Sequence, residues 1–145
     1  MVPTEQTSSS LGRALAGVPA ELGAPPAIGF RVVVGGRQRA LKASLREEVY
    51  RIGREAIVNA YRHSAAHDIE AEIEYWPTEL RIAVRDNGCG IDPEKVQWSR
   101  NRHWGLRGMR ERAEQIGARL RVMSRVKAGT EVVLCVPGRI AFERS

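Results

Sequence analysis

At 145 residues the chain is long enough to bury one core without disulfide or metal staples and too short for two average domains. Apolar content of 43% and charged content of 28% are ordinary for a globular protein, and no apolar run approaches a membrane span. The net charge of +6 would admit nucleic acid, but only Lys42, Lys95 and Lys127 are lysines; the arginines that supply the rest are scattered, with no basic run, so no direct nucleic-acid or membrane contact is expected.

The start of the chain, to about Ser10, is polar, lacks a basic-then-apolar signal and is expected to be disordered. Leu11, Leu15, Val18 and Leu22 recur at helical spacing, with Pro19 placed to kink or end that helix. Residues 28–34 read as a strand closed by the turn signal Gly35-Gly36. From Ser44, an N-cap with Glu47 three residues on, a long helix keeps Leu45, Val49, Ile52, Ala56 and Ala60 in phase to about His63. Residues 68–75 and 79–85 alternate as a strand pair around Trp76-Pro77-Thr78. The mixed stretch 91–104 holds a short helix capped by Asp92 with Pro93 at its first position. Leu106, Met109, Ala113 and Ile116 mark a second long helix stopped by Gly117, and residues 119–125 and 130–136 form two last strands. Cys89 and Cys135 have neither metal nor redox spacing and read as small reduced fillers. The order implies an α/β (α+β) two-layer sandwich, a mainly antiparallel sheet with helices on one face. Its parts are a leading segment and linker helix over 1–27, the domain proper over 28–138, and a tail over 139–145.

Three groupings carry chemistry. Asp86-Asn87-Gly88-Cys89-Gly90 follows a strand, so a carboxylate stands beside backbone nearly free of side chains. Such a carboxylate accepts from the exocyclic amine of a purine, and the glycines let the ring approach; Asn-Gly is equally a hairpin turn. On the long helix Glu55, Asn59 and Arg62 share one edge of the apolar stripe. Asn offers magnesium a neutral oxygen, Glu orients or deprotonates a hydroxyl or water, and Arg meets phosphate. A solvated edge with Glu55 paired to Arg51 or Arg62 is the competing reading, and Glu48 lies on the same edge. Gly105 and Gly108 at the expected start of the second helix place free amides where phosphate binds, while Leu106 and Met109 serve the core. Gly129-Thr130 adds a glycine turn and a hydroxyl at a strand start.

These groupings, in this order, resemble the ATP-binding domain of bacterial sensor histidine kinases, in the superfamily with gyrase, the large heat-shock chaperone and the mismatch-repair ATPases. Residues 54–64 are similar to the family's N-box and 86–91 to its first glycine box. Residues 105–109 are similar to the second glycine box and 129–132 to the last. The wording of residues 105–117 resembles the branch with a dimeric four-helix phosphotransfer module and DNA-binding response regulators. The resemblance implies a Bergerat-type fold binding ATP and magnesium. Asn59 would be the metal ligand, Glu55 the group near the γ-phosphate, and Arg62 and His63 phosphate-side neighbours. Asp86 would meet the adenine amine, with Gly88, Gly90 and Ile91 beside the ring and Thr130 behind it. Gly105, Leu106, Gly108 and Met109 would flank the phosphates. An ATP lid would span about 92–104, with Arg100, Arg102 and His103 near the phosphates or simply solvated. His63, His67 and His103 all lie in the ATP-binding region, so the acceptor histidine is expected on the dimerisation helices of a parent kinase. That parent would be cytoplasmic here, membrane-anchored elsewhere, and upstream of a response regulator. Two rivals are an anti-sigma-type serine kinase of the same superfamily and a non-catalytic nucleotide-sensing module.

Overall fold

A computed structural model describes residues 10–63, 67–88, 100–125 and 129–144. The expectations for the polar start, for Gly90 and Ile91, and for the short helix at Pro93 lie outside the described residues. In chain order the elements are α1 (Ser10–Ala16), α2 (Val18–Leu22), β1 (Gly29–Gly36), α3 (Ala43–His63), β2 (Asp68–Tyr75), β3 (Glu79–Asp86), α4 (Arg100–Gln115), β4 (Arg119–Arg125), β5 (Gly129–Pro137) and α5 (Gly138–Ala141).

The five strands form one sheet in the order β1-β2-β3-β5-β4, parallel between β1 and β2 and antiparallel elsewhere. Ile69, Ala71, Ile73 and Tyr75 on β2 share a face with Leu80, Ile82 and Val84 on β3 and with Val132, Leu134 and Val136 on β5. All are buried, and α3 closes over them with Leu45, Val49, Ile52 and Ala56. This is the expected two-layer sandwich. At roughly 25 cal/mol per Å² of apolar surface removed from water, that shared core is its main stabilising term.

Several boundaries differ from expectation. The first helix is two helices: the chain breaks at Gly17, Pro19 enters the first turn of α2, and Gly23 ends α2 in the left-handed region at φ 63°. Leu11, Leu15 and Val18 are buried in the same core as the sheet. Leu15 comes so near α3 that its Cδ2 would lie 3.1 Å from a β-carbon at Gly53. Gly35 and Gly36 do not close β1; they pair with Glu74 and Tyr75, and a β-carbon at Gly36 would overlap the Tyr75 carbonyl. Ser44 is the second helical residue of α3 rather than its cap. At the sheet's far end α5 was not expected; Phe142 after it stacks on Tyr75 at 6.3 Å, under the Arg39 guanidinium.

Among the described residues no helix covers the opposite face, which carries charged side chains instead. Arg85 sits among Glu70 (3.1 Å), Glu72 (2.8 Å) and Glu131, and Arg31 bonds Glu70 at 2.6 Å. Desolvation works against the Arg85 charge, but hydrogen bonds and attraction from Glu72 and Glu131 outweigh it and hold the guanidinium above its ordinary value. Beneath this lattice Ala83 and Val133 are fully covered, so long charged side chains do the work of a packing layer. Burial pushes the Cys135 thiol up, with a further push from Glu79, consistent with an inert filler. Among the described residues no helix is long and apolar enough to cross a membrane.

Candidate functional site

Chain direction decides where the chemistry gathers. β3 ends at Asp86, which pairs with Ile69 at the start of β2 and with Thr130 at the start of β5. Because α3 delivers the chain to the start of β2, its last two turns, with Asn59, Arg62 and His63, lie at this same end. Helix α4 feeds β4, whose first residue, Arg119, pairs with Cys135 far along β5. The N-terminal half of α4, with Gly105 and Gly108, is thereby also turned toward Asp86. Residues as far apart as Asp86 and Thr130 meet at one end of the sheet through strand pairing.

Asp86 is half-buried, and its Oδ1 accepts from the Gly88 amide at 2.9 Å, a turn that sets the carboxylate at the strand end. Gly88 is buried. Across the ladder, Thr130 Oγ1 lies 2.9 Å from Ser124 Oγ, with either atom able to donate, and Ser124 Oγ donates to the Gly129 carbonyl at 3.4 Å. Two open clefts of about 630 and 660 Å³ meet at Asp86, within the size range of small-molecule sites. One is lined by Phe30, Glu70, Arg85 and Asn87 and the other by Arg85, Ser124, Thr130 and Glu131; both open beside the charged face, and among the described residues none of α3 or α4 lines either.

On α3, Glu55 and Asn59 are half-buried and Arg62 is exposed. The alternative in which Glu55 pairs with Arg51 or Arg62 does not occur; among the described residues Glu55 has no ion pair or hydrogen bond. Arg54 instead reaches Glu21 on α2, at 3.5 Å. Asn59 Nδ2 is buried with no partner among the described residues, as is Arg81 Nε elsewhere on the sheet, and as a donor it calls for an acceptor oxygen. Burial raises the neighbouring Tyr61 hydroxyl above its ordinary value, and its ring meets Phe30 at 6.2 Å. The His63 side chain lies outside the described residues.

Helix α4 corrects one expectation. It begins at Arg100, so the amides without intrahelical partners belong to residues 100–103, and Gly105 lies in the second turn. Residues 100–104 of the expected lid are therefore helical in backbone; residues 92–99 and the side chains of Arg100, Arg102 and His103 lie outside the described residues. Met109 is buried at 2% exposure and Leu106 packs on the core, as expected of an apolar face. Gly108 is the exception: a β-carbon there would meet nothing within 4 Å. Internal packing does not require glycine at this position, although glycine costs a helix interior about 1 kcal/mol relative to alanine. Gly108→Ala is therefore expected to raise the melting temperature while weakening nucleotide binding, as read by calorimetry and a thermal scan of one preparation. Unchanged or tighter binding would mean that no ligand approaches this turn.

Residues 45–140 match the family described as "Histidine kinase-, DNA gyrase B-, and HSP90-like ATPase". The chain belongs to that family. It is thus a nucleotide-binding domain of the ATPase type, in line with the resemblance carried by its four motifs. The signal transduction histidine-protein kinase/phosphatase DegS of Bacillus subtilis is 26% identical over 110 residues, covering 76% of this chain and 29% of that protein. The sensor histidine kinase LiaS of the same organism is 34% identical over 98 residues, with 68% and 26% covered. The nitrate/nitrite sensor protein NarX of Escherichia coli is 36% identical over 83 residues, with 57% and 13% covered. The chain thus spans less than a third of the length of these relatives. In fold it is similar to the histidine kinase domain of the Erythrobacter litoralis EL346 blue-light activated histidine kinase, with a TM-score of 0.71 at 24% identity over 88% of this chain and 62% of that one.

Two residues of this end were not singled out from sequence. Ser124 pairs with Thr130 across β4 and β5, a relation that the two strand patterns carry in the sequence. Asn87 reads locally as half of a turn signal, and nothing local announces its partners.

Proposed function

We propose that the Asp86 end of the sheet binds magnesium-ATP and that the domain donates the γ-phosphoryl group to a histidine on a separate, dimeric acceptor module in two-component signalling, with a response regulator downstream. The observation that supports the proposal is the convergence at one strand end of Asp86, Thr130 and the last two turns of α3, where Asn59 Nδ2 is buried with no partner among the described residues. In this reading Asp86 accepts from the adenine amine, Gly88 and Gly90 admit the ring, Ile91 covers it, and Thr130, held by Ser124, backs it. Arg62 and His63 stand on the phosphate side, and Gly105, Leu106, Gly108 and Met109 shape the phosphate wall.

A magnesium ion that arrives with nucleotide would need few ligands from the protein. Among the described residues no cluster of three His, Cys, Asp or Glu could cage a metal. Magnesium commonly takes only one or two protein ligands and completes its shell with phosphate and water. Asn59 would supply that one oxygen without adding charge beside the phosphates. When bound, the ion would neutralise phosphate charge and polarise the γ-phosphoryl group.

In the transfer, the imidazole nitrogen of the acceptor forms a bond to the γ-phosphorus as the bond to the β–γ bridging oxygen breaks. The electron pair leaves with ADP, and the imidazole gives up one proton. Glu55, which has no ion pair or hydrogen bond among the described residues, would take that proton. It lies about 6 Å along the helix axis from Asn59, whereas Glu48 lies about 16 Å away, which favours Glu55 as the carboxylate beside the phosphate. Most of the rate would come from positioning and charge neutralisation. The domain proper would span 28–138 and remain cytoplasmic, and α1, packed on α3 at Gly53, would lead in from the acceptor helices.

Mixing the chain with acceptor helices from a related sensor kinase and γ-labelled ATP tests the proposal. Acid-labile, alkali-stable label is expected on the helices and not on the chain alone. Chelator, Glu55→Gln or Asn59→Ala should remove it. Acid-stable label on a serine would identify a serine kinase instead, and tight ATP binding without transfer to any acceptor would identify a sensing module. Acid-labile label on the isolated chain that vanishes in His63→Ala would overturn the separate acceptor.

A further inference from the structure

The side chain of Asn87 makes more contacts than a turn residue needs. Its Oδ1 accepts from two successive amides, those of His67 and Asp68, each at 2.9 Å. Its Nδ2 donates to Asp68 Oδ2 at 3.2 Å, and its own amide donates to the Asp68 carbonyl at 3.2 Å. Two amides can face only the oxygen and a carboxylate only the nitrogen, so this network leaves one orientation of the carboxamide. The turn it grips is itself tied onward, because the Gly29 amide donates to the His67 carbonyl at 2.8 Å. Gly29 also leaves room for the Asp68 carboxylate, whose Oδ1 would lie 2.6 Å from a β-carbon at that position. The starts of β1 and β2 and the end of β3 are thereby gathered around one side chain.

Residue 87 stands between Asp86 and Gly88, which are joined by the Asp86 Oδ1 bond. We propose that Asn87, clamped to Asp68, is a positioning residue for nucleotide binding: it fixes the Asp86–Gly88 turn so that the carboxylate meets the base. The inference rests on the reading of Asp86 as the adenine partner and adds to it the residue that aims it. Asn87 touches no ligand in this account and acts through its neighbours.

The clamp has a polarity that can be reversed. Asn87→Asp keeps an oxygen for the two amides but sets a carboxylate against Asp68. Adding Asp68→Asn restores a donor and an acceptor with their places exchanged. With ATP and magnesium in a calorimeter, Asn87→Asp is expected to bind about tenfold more weakly than the parent, of the order of one or two lost hydrogen bonds. The double variant is expected to return to within about twofold, because the pair is coupled. A side chain that merely filled a turn would show no such rescue. The clamp is overturned if the double variant stays as weak as the single one, or if Asn87→Asp binds like the parent. If the unmodified chain binds no ATP, the nucleotide reading itself fails and the clamp fails with it.

Discussion

Gly129→Ala is expected to destabilise the fold by about 3 kcal/mol and to abolish nucleotide binding. Gly129 has φ 102°, a region that costs any residue with a β-carbon roughly 1–2 kcal/mol. It also has no room, because the added carbon would overlap the Asp86 carbonyl oxygen and lie 3.2 Å from Asn87 Cα. Relief requires β3 and β5 to separate where Asp86 pairs with Thr130, and that pairing aligns the site. Gly23 supplies the comparison: its φ is 63°, yet nothing lies within 4 Å of its added carbon. Gly23→Ala should cost only the backbone term and leave binding intact. Denaturant melts of both variants check this, and equal losses would show that the contact with Asp86 carries no weight.

The elements that were readable in the sequence were those with an uninterrupted period. β2 occupies the expected residues because apolar and charged side chains alternate through it, β4 does so on the alternation from Arg119 to Val122, and α3 runs to His63 on a stripe of five apolar positions. The start of α4 was not readable, since residues 100–105 carry no apolar repeat and the helix there is not marked by pattern. Gly35-Gly36 carried a turn signal, yet the parallel ladder with β2 takes them as strand, using the room that glycine leaves beside Tyr75. The helix edge of the candidate site followed from helical phase alone. That Asp86 faces Thr130 did not, because it depends on β3–β5 register over more than 40 residues of intervening chain. The clamp at Asn87 was hidden for the same reason, with partners 19 and 20 positions away where the chain enters another strand.

The second large effect belongs to Asp86. A hydrogen bond to a charged group is worth roughly 1.5–3 kcal/mol, so Asp86→Ala should weaken ATP binding by about tenfold to a hundredfold. The side chain lies outside the apolar core but accepts from the buried Gly88 amide, so its loss should lower the melt by the order of one hydrogen bond, about 1–3 kcal/mol, and leave the protein folded. Selectivity should fall with affinity: guanine presents a carbonyl where adenine presents its amine, and a carboxylate repels that carbonyl. The most direct measurement is a calorimetric titration of the parent chain and of Asp86→Ala with ATP and with GTP, in magnesium, beside a thermal melt of each. The account predicts a parent that prefers ATP and a folded variant that has lost both most of its affinity and its preference for ATP over GTP. A folded Asp86→Ala protein that binds ATP as tightly as the parent and still discriminates against GTP would contradict it.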